Sequence, residues 1–437
     1  MNQTVKNIFA LSFVLVSSQA LATSAAFVRS LSRSTQTDGA DRALYNPASS
    51  AHLEGCQLYV SSLSVYRDWD IRAVGASYDT SVAAPVVPEL HAACGHDKLG
   101  FYGAVYPSGG AAAFGKGLPS YIKEMNTTLK TGIQNQSLNP RLAQPATLVA
   151  DPVVKIDAQK LNANLQLGAA YAWNDQFAVS LGVGPVLAQN QIVAKLRYKT
   201  VSQPSPERDY SHFDIRYQQK AFGLAPVLGL NWQAEGWETT LRYQGRVPLR
   251  LKTKIQKDET ADIAQAAGME PVVQEGEILA EDVPAVAQIG LAKAFGVHQL
   301  RTELTYNFSR AARAEAWQSA LDHKAIVYNN PELGKVSERK DAWTAAAAYE
   351  QKLSADWLVS GGLRYAYAGS KPSLNLDEQH LLNSYSYAAG AQYRWSDVTH
   401  LDFAYLLVDS IDSYNQDATE VYRMREHILG FGLNRNL

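Results

Sequence analysis

An alternation of apolar and polar side chains with a period of two recurs through most of the chain. In the segment 298–308, Leu300 and Leu304 lie on one face of the predicted strand, and Arg301 and Glu303 lie on the other. Successive side chains of a β-strand point to opposite sides, so this pattern predicts strands with one apolar and one polar face. It limits the chain to folds built from amphipathic strands.

About fourteen such segments follow one another. They span 55–67, 70–82, 98–109, 160–173, 177–196, 219–232, 237–251, 284–295, 298–310, 341–353, 357–369, 384–395, 399–411 and 424–437. Short polar turns alternate with long polar connections, which are 115–158, 197–220, 252–283, 310–341, 370–384 and 412–424. Short turns at one end and long loops at the other are typical of outer-membrane barrels, whereas a soluble β-sandwich does not explain them. The sequence predicts an all-β fold, a transmembrane antiparallel β-barrel of about 14 strands.

The overall composition agrees with such a barrel. Only 46% of the 437 residues are hydrophobic, as expected when lipid-facing apolar residues alternate with polar residues that face the lumen. The chain has 23 tyrosines and only 4 methionines, and tyrosine is typical of the aromatic girdles at membrane interfaces. A formal net charge of −2 gives no basic footprint, so we expect no nucleic-acid partner.

The N-terminus reads as a secretory signal peptide, residues 1–22. Lys6 supplies a positive charge, residues 8–16 form a short apolar core, and Ala20-Leu21-Ala22 is a small-residue cleavage site. The apolar core is too short for a membrane anchor, and no later run of 18 apolar residues argues for a helical membrane protein. The mature chain is therefore predicted to leave the cytoplasm.

Residues 23–54 differ from the rest because they are serine-rich and do not alternate. A barrel of about 14 strands is too wide for its own side chains to fill, so this stretch is predicted to fold inside it as a hatch. We call residues 23–54 the hatch segment and assign 55–437 to the barrel. Asn46-Pro47-Ala48 near its end reads as a rigid structural unit, because proline restricts its own backbone and that of the preceding residue.

The order of signal peptide, Tyr-Asn-Pro-Ala and about fourteen strands resembles the FadL-type family of outer-membrane transporters for long-chain fatty acids and other hydrophobic compounds. Asn46-Pro47-Ala48 matches the family's hatch motif, and residues 97–110 (DKLGFYGAVYPSGG) match its third strand. The resemblance covers nearly the whole mature chain. It implies location in the outer membrane of a Gram-negative-type bacterium and passive uptake of a hydrophobic ligand such as a fatty acid.

The resemblance further implies a route for the ligand. In the family, the ligand is caught by the extracellular loops and enters a pocket above the hatch. It then leaves sideways through a gap made by a kink in the third strand. Candidates for this lateral gate are Gly103, Pro107, Gly109 and Gly110, because proline cannot donate to the ladder and glycine weakens it. Alternatively, the strand ends at Tyr106 and Pro107 begins a loop.

The last strand, 427–437, resembles the signal that the barrel-insertion machinery reads, although it ends in Leu437 rather than an aromatic residue. We therefore expect three partners: the lipid bilayer of the outer membrane, the insertion machinery and a hydrophobic ligand. We also expect the protein to be a monomer.

Three arginines are predicted on the inward face of one strand: Arg242, Arg246 and Arg250. A guanidinium suits a carboxylate, so Arg242 and Arg246 are candidates for binding a fatty-acid headgroup. The alternative is an interior charge network with acidic residues that also face inward. Those residues are Glu238, Glu303 and Asp402.

The two cysteines, Cys56 and Cys94, are predicted near the same end of neighbouring strands. In an oxidising compartment they would form either a disulfide or two free thiols. The nine histidines lack metal-site spacing, and no nucleophile or nucleotide motif occurs. We expect no metal, no cofactor and no enzymatic activity. The alternative function is a general diffusion porin or an adhesion barrel, either of which would lack a hatch.

Overall fold

A computed structural model describes residues 24–35, 38–73, 76–116, 146–148, 153–202, 208–259, 273–315, 340–369, 382–414 and 420–437. The predicted signal peptide, residues 1–22, lies outside the described residues. So do the central parts of the predicted long connections, which are 117–145, 149–152, 203–207, 260–272, 316–339, 370–381 and 415–419.

The described strands form one closed antiparallel sheet. Its eighteen segments make fourteen strands, because four segments continue or begin another strand. The strands are β1 Gly55–Ala73, β2 Ala76–His96, β3 Leu99–Lys116, β4 Val153–Ala172 preceded by Ala146–Leu148, β5 Phe177–Ser202, β6 Arg208–Ala234, β7 Trp237–Gln244 continued by Arg250–Asp258, β8 Ile278–Ala280 continued by Val286–Phe295, β9 His298–Asn307, β10 Ala342–Lys352, β11 Trp357–Tyr367, β12 Ser384–Ser396, β13 Thr399–Ser410 continued by Ser413–Tyr414, and β14 Glu420–Asn436. Pairing of β14 with β1 closes the ring, so the predicted barrel is confirmed.

The first hairpin is longer than the sequence predicted. β1 continues to Ala73 and β2 begins at Ala76, so the turn expected near residue 68 is wrong. Arg67, at the predicted end of the first strand, forms an ion pair with Glu426 on β14 within the ladder. A charged side chain stays in a strand when the neighbouring strand supplies its counter-ion.

The strands also extend into the predicted long connections. β5 runs to Ser202 and β6 begins at Arg208, so most of the predicted connection 197–220 is strand. β7 likewise continues to Asp258. The polar composition of these stretches reflects strands that leave the apolar band, because a strand outside lipid no longer needs an apolar outer face.

The exposure of the side chains is the reverse of that in a soluble protein. On β9, Leu300 and Leu304 are 51% and 46% exposed, whereas Arg301 between them is 1% exposed. Apolar residues thus face outward and charged residues inward, as a membrane-spanning barrel requires.

The hatch segment lies inside the ring. It contains α1 (Ala25–Ser30), α2 (Arg42–Tyr45) and a 3₁₀ helix, Pro47–His52. α1 contacts β10 to β14 and β1, while the 3₁₀ helix contacts β2 to β6. The approach is close enough that a Cβ at Gly362 of β11 would overlap the carbonyl of Ser30. No helix in these described ranges is long and apolar enough to cross a membrane.

Candidate functional site

Buried ion pairs join the hatch segment to the barrel wall. The Arg29 guanidinium lies 3.0 Å from Glu350 and 3.2 Å from Asp402, and all three side chains are at most 1% exposed. Arg301 lies 2.6 Å from the same Glu350. Buried carboxylates need such partners, because an unpaired charge in the interior is strongly unfavourable.

A second set of polar contacts fixes the middle of the hatch segment. Glu303 accepts hydrogen bonds from the backbone N–H groups of Arg33, at 3.2 Å, and Ser34, at 3.1 Å. Arg33 in turn donates to Asp41 at 2.8 Å. Desolvation by burial lowers the pKa of Arg42 to about 10. Sequence reasoning missed Arg29 and Arg33, because nothing local indicates their partners on distant strands.

The motif Asn46-Pro47-Ala48 lies where α2 ends and the 3₁₀ helix begins. The Asn46 side chain donates to Glu238 of β7 at 3.0 Å, and Asn231 donates to the same carboxylate at 2.8 Å. Pro47 occupies the first position of the 3₁₀ helix, where a missing N–H has little effect. In this position the motif contacts the wall and not an open surface.

The three candidate arginines do not share one face, so that prediction is wrong. Arg242 is buried and donates to Gln166 and Gln244, at 3.0 and 2.8 Å. Arg246 and Arg250 are 42% and 45% exposed. The ladder between β6 and β7 stops at Gln244 and resumes at Lys252, and the intervening residues shift which side chains face inward.

The proposed charge network exists only in part. Asp402 pairs with Arg29, Glu303 accepts backbone N–H groups of the hatch segment, and Glu238 accepts two asparagine amides. None of these three carboxylates pairs with Arg242. Among the described side chains Arg242 has no ion-pair partner, and its buried Nε has no hydrogen-bond partner there.

Buried apolar side chains of the barrel wall pack against one another and against the hatch segment. We call the surface that these side chains form the inner track. It comprises Leu63, Val65, Trp69, Val87, Ala104, Tyr106, Leu382, Ala404, Leu406, Val408, Tyr422, Met424 and Ile428. Val408 packs against both of its halves, and Phe27, Leu44 and Tyr45 of the hatch segment form its floor. The lumen of a water-filled barrel is polar, so an apolar inner surface indicates a different cargo.

The inner track reaches the place where the wall loses pairing. β2 and β3 pair only from His96↔Leu99 to Leu90↔Val105. Continued by two residues, the register would set Pro88 opposite Pro107. Neither proline has an N–H to donate, so the ladder has a physical reason to end there.

The four gate candidates lie on β3 at different distances from this break. Gly103 lies before it and is paired on both sides. Pro107, Gly109 and Gly110 lie beyond it and pair only with β4, with a register shift between Pro107 and Gly109. β3 itself continues to Lys116, so Pro107 does not begin a loop.

Cys56 and Cys94 are directly opposite each other on β1 and β2 and form a disulfide. Cys94 therefore lies inside the second strand, whereas the predicted boundaries placed it after that strand. Within the described ranges, no group of three or more histidine, cysteine, aspartate or glutamate residues could hold a metal ion.

These features define a transmembrane β-barrel with an occupied interior and incomplete wall pairing between two strands. No protein-family profile matches the chain, and no curated protein matches it in sequence. Several solved structures share the fold, among them the following three. A FadL homologue from Pseudomonas aeruginosa is 14% identical and superposes with a TM-score of 0.62 over 96% of this chain and 100% of its own.

The other two are toluene transporters. TodX from Pseudomonas putida is 12% identical, with a TM-score of 0.59 over 97% of this chain and 100% of its own. TbuX from Ralstonia pickettii is 13% identical, with a TM-score of 0.55 over 96% of this chain and 99% of its own. The chain thus has the FadL-type fold, and the resemblance seen in the sequence is confirmed at that level.

Proposed function

We propose that the protein takes up hydrophobic molecules across the outer membrane of a Gram-negative-type bacterium by passive diffusion. The observation that carries this proposal is the course of the inner track. It begins with Trp69 and Tyr422 towards the loop end, crosses the floor formed by the hatch segment, and ends beside Tyr106, where pairing between β2 and β3 stops. A hydrophobic molecule would remain in apolar contact along this route and leave through the wall.

The same geometry argues against a general porin. The hatch segment lies within the ring and is bonded to strands on several sides, whereas a porin needs a continuous water-filled lumen. We further propose that no reaction accompanies transport. The fold is shared with a FadL homologue and with toluene transporters, which supports a hydrophobic cargo.

Arg242 supports an extension of the proposal to cargo that ends in a carboxylate. Its guanidinium interacts electrostatically with Tyr106, Tyr102, Tyr45 and Glu303, without an ion pair to any of them. A buried guanidinium without an ion-pair partner can bind a carboxylate strongly. Arg246 lies at the break in β7 and does not reach this position.

Uptake into proteoliposomes tests the proposed exit. A Gly109→Val, Gly110→Val variant should reduce toluene and oleate uptake towards the protein-free rate, because two β-branched residues favour pairing of β3. Gly361→Val is the matched control. Gly361 is paired on both sides, and an added Cβ meets its nearest neighbour at an ordinary 3.5 Å.

Two outcomes would count against the proposal. If the Gly109→Val, Gly110→Val variant keeps full uptake, the exit does not lie at this part of β3. If the wild-type protein shows stable open ion channels in a planar bilayer, the hatch segment does not close the lumen and the porin alternative is favoured.

A further inference from the structure

Basic side chains lie close together on the outer face of the barrel, where β6 and β7 emerge from the apolar band. We call this group the basic patch; all of its members are exposed, and they are Arg216, Lys220, Arg250, Lys252 and Lys254. The lipid-facing side of a barrel is an unfavourable place for charge unless that charge meets polar headgroups.

The height of the basic patch on the barrel follows from β6. Outward residues of β6 are apolar from Trp232, through Leu228, to Phe222, which are 40%, 46% and 58% exposed. A tilted strand needs about 9–11 residues to cross the hydrocarbon core, and this stretch matches that length. Lys220 is the next outward residue. The basic patch therefore begins at the headgroup level, at the end of the barrel that carries the long connections.

The members of the basic patch are adjacent across the ladder. Lys220 lies directly opposite Lys252, and Lys254 follows two positions along β7. Like charges directly opposite each other in a sheet repel. No carboxylate of the described residues forms an ion pair with any of these three lysines.

The nearby acidic residues are already engaged. Asp214 lies above the basic patch and pairs with Lys257 at 3.4 Å. Asp282 lies beside it, 3.4 Å from Arg250 and 3.6 Å from Arg246, and is only 1% exposed. The exposed lysines thus present uncompensated positive charge towards the membrane surface.

The opposite side of the ring is built differently. There Arg423 and Arg425 of β14 pair with Asp409 of β13, at 3.3 and 3.5 Å. Asp68 and Asp70 of β1 lie directly opposite the same two arginines. The exposed arginines of β14 thus have carboxylate partners, whereas Lys220, Lys252 and Lys254 form no ion pair with a described carboxylate.

We propose that the basic patch binds the phosphate groups of anionic lipid headgroups in the leaflet at the loop end of the barrel, a phosphorylated glycolipid above all. Lysine ammonium groups on flexible stems can reach phosphates at the interface, and Arg250 can bind one with two parallel hydrogen bonds. The negative charge would remove the repulsion between Lys220 and Lys252. This inference does not depend on the proposed uptake function.

The test compares lipid binding by the purified full-length protein. A Lys220→Gln, Lys252→Gln, Lys254→Gln variant should bind phosphatidylcholine vesicles containing diphosphorylated lipid A about a hundred-fold more weakly, at about five-fold for each lysine. The matched control is Arg423→Gln, Arg425→Gln, which removes two basic side chains of β14 that pair with Asp409, and it should keep its affinity. Heat-dependent mobility in gels verifies that each barrel is folded.

Four results would overturn the proposal. In the first, the lysine variant binds these vesicles as tightly as the wild type, and in the second, vesicles with dephosphorylated lipid A bind equally well. In the third, free inorganic phosphate displaces the lipid at the same phosphate concentration, which would identify a soluble-anion site instead. Loss of binding in the arginine control alone would transfer the site to the other side of the ring.

Discussion

Replacement of Arg29 by methionine tests whether buried ion pairs hold the hatch segment in the lumen. Methionine fills much of the same volume but removes the charge. Glu350 would keep Arg301 at 2.6 Å, whereas Asp402 would retain only the amide of Gln392 at 3.2 Å. The uncompensated group is therefore Asp402.

Removal of one partner from a buried ion pair typically destabilises a structure by about 3–5 kcal/mol. We expect about 3 kcal/mol, the lower end of that range, because one of the two carboxylates stays paired. Since about 1.4 kcal/mol corresponds to a factor of ten, the population with an undocked hatch segment should rise about a hundred-fold. The barrel strands themselves keep all their ladder hydrogen bonds.

Single-channel current in a planar bilayer measures this population, because an undocked hatch segment opens the lumen. Arg29→Met should increase the open time about a hundred-fold, and Arg29→Met, Asp402→Asn should recover most of the closure by removing the orphaned charge. The control is Arg394→Met. Arg394 is 40% exposed and pairs with Asp356, which is 52% exposed, so its loss should have almost no effect. An unchanged open time in a folded Arg29→Met barrel would refute the reasoning.

Three further predictions concern the wall, the cargo and the disulfide. Pro88→Thr, Pro107→Thr supplies two missing N–H groups, so hydrogen exchange between β2 and β3 should slow and uptake should fall; unchanged exchange would show that the prolines do not end the ladder. Arg242→Met should weaken oleate binding about ten-fold or more and leave toluene uptake intact, since a charged hydrogen bond contributes about 1.5–3 kcal/mol; equal losses for both would contradict a headgroup role. Cys56→Ala, Cys94→Ala should lower the free energy of unfolding in urea by about 4 kcal/mol, because the cross-link spans 38 positions; an unchanged midpoint would argue against it.

The alternation of side chains was enough to predict the barrel, because each strand must satisfy lipid on one side and the lumen on the other. The predicted strand boundaries were wrong where the strands leave the membrane, because the outer face of a strand no longer has to be apolar there. The first hairpin was misplaced because Arg67 finds its counter-ion on β14, and a single strand's sequence does not show its neighbour. Pro88 lay between the predicted strands 70–82 and 98–109. The sequence therefore did not indicate that the register of β2 and β3 would set Pro88 opposite Pro107.

The candidate site was harder to predict because its contacts are distant in sequence. Arg29 bonds to Ser360, 331 positions away, and no periodicity links the two. The phase change in β7 had a local signal that was overlooked, since Gly245 and Pro248 interrupt the strand. Only resemblance to a known family pointed to the third strand, and only the structure shows how far its pairing extends.

The position of the hatch segment has a consequence for the order in which the molecule is assembled. Asn434 of the last strand accepts a hydrogen bond from Ala40 at 3.2 Å and donates one to Asp38 at 3.3 Å. Asp38 and Ala40 of the hatch segment are thus fixed by β14, and the seam between β1 and β14 runs directly beside them. Closure of that seam encloses the hatch segment, so the chain can seal this segment in the lumen only after β14 has formed.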